Sequence, residues 1–89
     1  MQARQYIVEG FVQGVGFRWW VRSAAAALNL TGYVKNLRDG DVEVYAMGSA
    51  AALDELRSKL EQGPLGARVT AVHESPAPLR DYKAFIITN

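Results

Sequence analysis

Apolar and polar residues alternate in five stretches of this chain and recur at helical spacing in two others, and the order of these stretches limits the fold. From Arg4 to Val12 the run RQYIVEGFV sets Tyr6, Val8, Gly10 and Val12 against Gln5, Ile7, Glu9 and Phe11, which predicts a strand. The next five residues, QGVGF, hold Gly14 and Gly16 two apart. RWWVRSAAAALNL then places Trp20, Ala24 and Ala27 or Leu28 along one side of a helix. Asn29 and Thr31-Gly32 end that helix. GYVKNLR alternates as a second strand and Asp39-Gly40 makes a hairpin turn. DVEVYAMG continues as a third strand, with Val42, Val44 and Ala46 on one face and Glu43 and Tyr45 on the other.

The second half repeats the plan. Ser49 is the expected N-cap of a helix AAALDELRSKLEQ whose Leu53, Leu56 and Leu60 form an apolar stripe, with Asp54 and Glu55 toward its N-terminal end. Gly63-Pro64 stops it. ARVTAVHES predicts a fourth strand, SPAPLRD a Pro-containing surface connection, and YKAFIIT a short terminal strand. The order β-α-β-β-α-β plus one short strand predicts an α+β, ferredoxin-like sandwich: an antiparallel sheet of four to five strands with two helices packed on one face. Residues 1–89 are expected to form a single domain, since a second would need roughly 100 more residues. That architecture alone says nothing about function.

Composition narrows the chemistry. Ten Lys+Arg against nine Asp+Glu leave a net charge of +1, without the basic excess that drives nonspecific binding to nucleic acid or acidic membranes. The third strand also lacks the aromatic, basic pattern of an RNA-reading sheet. Zero cysteines remove disulfides, thiolate nucleophiles and Cys-ligated metals, and a single histidine removes His-rich metal sites. No run approaches the roughly 20 apolar residues of a membrane helix, and the N-terminus has no signal-peptide order. A cytoplasmic monomer is the expected state.

Two places could carry chemistry. In VQGVGFR, Val12 to Arg18, the two glycines allow backbone N–H groups to turn inward, the loop opens a helix, and Arg18 adds a guanidinium able to grip two oxygens. The residues suit a phosphate, although the same glycines could serve only a tight strand-to-helix turn and Arg18 could be a solvated first-turn residue. Asn36 stands near the end of the second strand. A right-handed crossover brings that end beside the loop, with the third strand between. Pairing of Asn36 with turn backbone is the alternative. Arg22, one turn after Arg18, either extends the positive field or is solvated, and His73 is expected to be structural or solvent-facing. A cradle, one Arg and one amide include no metal ligands, no Ser-His pair and no paired carboxylates. A phosphate monoester is beyond such a set, but an acyl phosphate expels a carboxylate whose acid has a pKa of about 4 and leaves without protonation.

VQGVGFR, then GYVKN, DGDVEV and a terminal FII, in that order over nearly the whole chain, resemble the acylphosphatase family. The resemblance implies a metal-independent hydrolase, without a cofactor, that splits acyl phosphates by in-line attack of water. It implies that Gln13, Gly14, Val15, Gly16 and Phe17 with Arg18 bind the phosphoryl group, and that Asn36 orients the water. Trp19 and Trp20 are bulkier than is common after that Arg, and the final FIITN lacks a frequent charged residue, which leaves acyl-group preference open. The alternative is a noncatalytic phosphate-binding or accessory module of a larger maturation factor, which the 89-residue length disfavours. The partner is then a small-molecule acyl phosphate, with no nucleic acid and no membrane.

Overall fold

The predicted alternation of the first strand puts Tyr6, Val8 and Val12 on one side of it, all out of solvent in the computed structural model, which describes residues 1–89. The elements in chain order are β1 (Gln2–Phe11), α1 (Phe17–Ala27), β2 (Thr31–Asn36), β3 (Val42–Gly48), α2 (Ala50–Gln62), β4 (Arg68–Pro76) and β5 (Phe85–Thr88). The five strands form one sheet in the order β4-β1-β3-β2-β5, with both helices on one face. The β1–β3, β1–β4 and β2–β3 pairs are antiparallel, as expected. The β2–β5 pair is parallel, so the sheet is mixed. Geometry requires this: β4 ends at one edge of the sheet, the chain crosses to the opposite edge, and β5 returns in the direction of β1 and β2.

Between sheet and helices lie Tyr6, Val8, Val34, Val42, Val44 and Ala46 from the strands, against Leu53, Leu56 and Leu60 of α2. Each of those leucines is fully buried, worth roughly 1.5–3 kcal/mol relative to exposure. Ser49 caps α2 as expected, its hydroxyl accepting from Ala52 N at 3.1 Å. In α1 the buried stripe is Phe17, Val21 and Ala25, with Trp20, Ala24 and Leu28 half-buried beside it. The stripe thus centres one position later than Trp20–Ala24–Leu28, because the helix starts at Phe17 and that ring turns into the core. No helix is long and apolar enough to cross a membrane.

The far face of the sheet is not left open. Ala3, Tyr33, Tyr45 and Met47 are buried there, covered by Ala77 of the segment expected to be a simple surface connection and by Tyr82, expected to open the last strand. The rings of Tyr33, Tyr45 and Tyr82 lie 5.5–5.8 Å apart, within the range where aromatic pairs attract. Tyr45 donates to Pro78 O at 2.6 Å, and Arg80 lies over the Tyr45 ring at 4.9 Å. Tyr82 therefore serves this second cluster, and the last strand begins at Phe85 rather than at Tyr82.

Candidate active site

Because β1 and β2 both pair antiparallel with β3, they run the same way and their C-terminal ends share one end of the sheet. The loop after β1 and Asn36, the last residue of β2, meet there. α1 begins at that loop with Gly16 as its N-cap, at φ 75° and ψ 18°, and no side chain caps its first turn. The helix N-terminus keeps its free N–H groups and roughly half a unit of positive charge, with no acidic residue in that turn to neutralise it. Gly14 also has positive φ, 76°. A Cβ on either glycine would meet no protein atom within 4 Å, so the left-handed backbone is what demands glycine and the space before the loop is open.

That space is a cleft of about 210 Å³. One part of its wall is polar: Gly14, Gly16, Arg18 and Asn36. The other part is contributed by Val12, Phe17, Trp19 and Ile87. The half-buried Arg18 belongs to none of the five ion pairs of the molecule, so its guanidinium is available to an anion. Asn36 lines the cleft, and its Oδ1 is buried without a hydrogen-bond partner, a costly arrangement in the folded chain. Asn36 Oδ1 makes no hydrogen bond to the turn that follows β2.

Gln13 and Val15 do not line the cleft. The Gln13 amide donates from Nε2 to Leu37 O and to Asp41 O, both at 2.8 Å, so it ties the loop to the hairpin that follows Asn36. Val15 packs on the core. The Asp41 carboxyl is held above its usual range, first by loss of solvent and then by the neighbouring Asp39 and Glu9 charges.

Other charged residues are engaged elsewhere. Arg22 donates from Nε to Phe85 O at 3.4 Å and lies 5.3 Å from the Trp19 ring, outside the wall of the cleft. His73 is exposed on β4 and pairs with Glu9, and Asp54 pairs with Arg4 at 2.6 Å. Nowhere do three His, Cys, Asp or Glu side chains gather as a metal site would require. Val12, which opens VQGVGFR, and Ile87, which ends FII, line the cleft without a site role having been assigned to either from the sequence. Ile87 reaches the cleft only through the parallel β2–β5 pairing, which sets it beside Val34, two residues before Asn36.

The sequence model of the acylphosphatase family matches residues 4–87. The chain belongs to the acylphosphatase family. It is 45% identical to an acylphosphatase of Solibacter usitatus over 97% of this chain and 90% of that one. The crystal structure of acylphosphatase from Bacillus subtilis superposes with a TM-score of 0.97 at 36% identity, covering all of both chains. Full-length HypF, in a phosphate- and nucleotide-bound form, matches with a TM-score of 0.89 at 26% identity, over 99% of this chain and 12% of that one. The activity that accompanies membership is hydrolysis of acyl phosphates, and the fold is the acylphosphatase one.

Proposed function

We propose that the loop from Gln13 to Phe17, the N-terminus of α1 and Arg18 hold the phosphoryl group of an acyl phosphate, while Asn36 orients the attacking water. The observation that carries this reading is the meeting, in one cleft, of an unpaired guanidinium, two left-handed glycines at an uncapped helix N-terminus, and the side chain of Asn36. Gln13 and Val15 contribute through the loop backbone, the Gln13 side chain being committed to the hairpin.

The water oxygen forms a bond to phosphorus as the bond from phosphorus to the acyl oxygen breaks. The acyl oxygen leaves with the electron pair as a carboxylate, and the water proton passes to a phosphoryl oxygen, giving dihydrogen phosphate. Arg18 and the helix N–H groups neutralise charge on the phosphoryl oxygens, and the side-chain amide of Asn36 hydrogen-bonds the water and aligns it. The substrate's own phosphate takes the proton, so the site needs no separate base or metal. We place this activity in a cytoplasmic monomer.

The test is release of inorganic phosphate from benzoyl phosphate in excess EDTA, comparing wild type with Arg18→Ala. Loss of the phosphate-gripping charge should lower kcat/KM by roughly 10³ or more while circular dichroism stays native. Equal turnover in a folded Arg18→Ala protein would remove Arg18 from the mechanism. A folded wild type releasing no phosphate would favour a phosphate-binding accessory module, the reading in line with the match to 12% of the HypF chain.

A further inference from the structure

The cleft has more wall than a phosphate needs, and part of the remainder is an exposed tryptophan. Trp19 lines the cleft yet remains 64% exposed, beside Arg18 in the first turn of α1. Phe11 is as exposed, at 63%, but of the large apolar side chains left in water only Trp19 also lines the cleft, where a bound group can cover it. Helical side chains lean toward the helix N-terminus, so that of Trp19 leans toward the end of α1 where the phosphate-binding loop lies. Arg22, one turn behind, braces it: the guanidinium lies 5.3 Å from the ring centroid and is itself held by Phe85 O on β5. Val12 and Ile87 add aliphatic surface to the same cleft.

We infer that Trp19, braced by Arg22, is the specificity-determining residue for the acyl group, and that the site prefers acyl phosphates with a flat or extended apolar acyl group over acetyl phosphate. This rests on the placement of the phosphate at Arg18 and the α1 N-terminus. With the phosphoryl group anchored there, an acyl group fitting in the same 210 Å³ lies against Trp19. A phenyl ring covers much of the indole face and an acetyl methyl little of it. The preference therefore comes from ring contact, and it is expressed mainly in KM because the acyl group stacks equally in the ground state and the transition state.

The experiment measures kcat and KM for benzoyl phosphate and acetyl phosphate in wild type, Trp19→Ala and Trp19→Phe, with inorganic phosphate as a competitive inhibitor throughout. Trp19→Ala should lower kcat/KM for benzoyl phosphate about tenfold more than for acetyl phosphate, through KM, and Trp19→Phe should recover most of the difference. The inhibition constant of phosphate, which has no acyl group, should stay within about twofold, since it tracks the loop rather than the ring. Equal loss on both substrates, or loss on neither, would overturn the role given to Trp19 while leaving the phosphate site intact. A wild type insensitive to phosphate, or inactive on both substrates, would overturn the phosphate placement itself and this inference with it.

Discussion

Replacing Gln13 by Met keeps the length of the side chain and removes its two hydrogen bonds. These bonds join residues 24 and 28 positions apart, and they are the side-chain link between the phosphate loop and the hairpin after Asn36. A neutral hydrogen bond contributes about 0.5–1.5 kcal/mol net, so the pair spans about 1–3 kcal/mol. Neither carbonyl is orphaned by the loss, because Leu37 O still accepts from Gly40 N at 3.3 Å and Asp41 O from Leu37 N at 2.8 Å. That places the cost in the lower half, about 1–2 kcal/mol. For a domain of this size each kcal/mol lowers Tm by about 4–8 °C, so thermal unfolding followed by circular dichroism should move down by about 5–15 °C. A shift of about 1 Å between loop and Asn36 would lower kcat by up to about 100-fold, measured with benzoyl phosphate well below the new Tm. A Gln13→Met protein with Tm within 1 °C of wild type and unchanged kcat would refute the idea that this bridge keeps the two halves of the site in register.

Three further outcomes can be checked. Asn36→Ala should lower kcat by roughly 10²-fold or more while the inhibition constant of phosphate changes little; weaker phosphate binding at normal kcat would contradict a water-orienting role. Gly32→Ala should destabilise the fold severely, by more than about 3 kcal/mol, because a Cβ there would lie 1.9 Å from Tyr45 O on a backbone at φ 141°. Urea unfolding with a midpoint close to wild type would show that β2 and β3 can part at little cost. The Tyr6 phenol is pushed up to about 12, chiefly by burial and then by the Glu74 charge, while it donates to Leu53 O at 2.9 Å. Since the folded state holds this proton more tightly than the unfolded chain, its contribution is complete below about pH 10 and disappears as pH rises toward 12. Wild type should then lose stability more steeply than Tyr6→Phe between pH 10 and 12, by about 2 kcal/mol, and parallel curves would refute the assignment.

The site was legible to the extent that it is local. Gly14, Gly16 and Arg18 are close in the chain, and a strand-loop-helix reading sufficed to aim them at one point. Asn36 was placed beside them by the handedness of the crossover alone. The family resemblance put Gln13 in the cradle, but its side chain serves two carbonyls that no local pattern connects to it. Tyr82 reads equally well as the first residue of a strand or as a cover for Tyr33 and Tyr45, and alternation cannot distinguish them. The choice belongs to surfaces that meet only after the sheet has formed.

Sequence alone determined which residues could bury themselves and at what period, hence the order of strands and helices, the stripe Leu53–Leu56–Leu60, the Ser49 cap and the glycine loop before Arg18. These are decisions of backbone sterics, capping and side-chain polarity within a few residues of one another. Tertiary structure decided the parallel seating of β5 on β2, the tyrosine cluster on the far face, the orphaned Asn36 oxygen and the meeting of Ile87 and Trp19 in one cleft. Each of these depends on which distant segments become neighbours, and that is settled by the joint burial of whole faces rather than by any local preference.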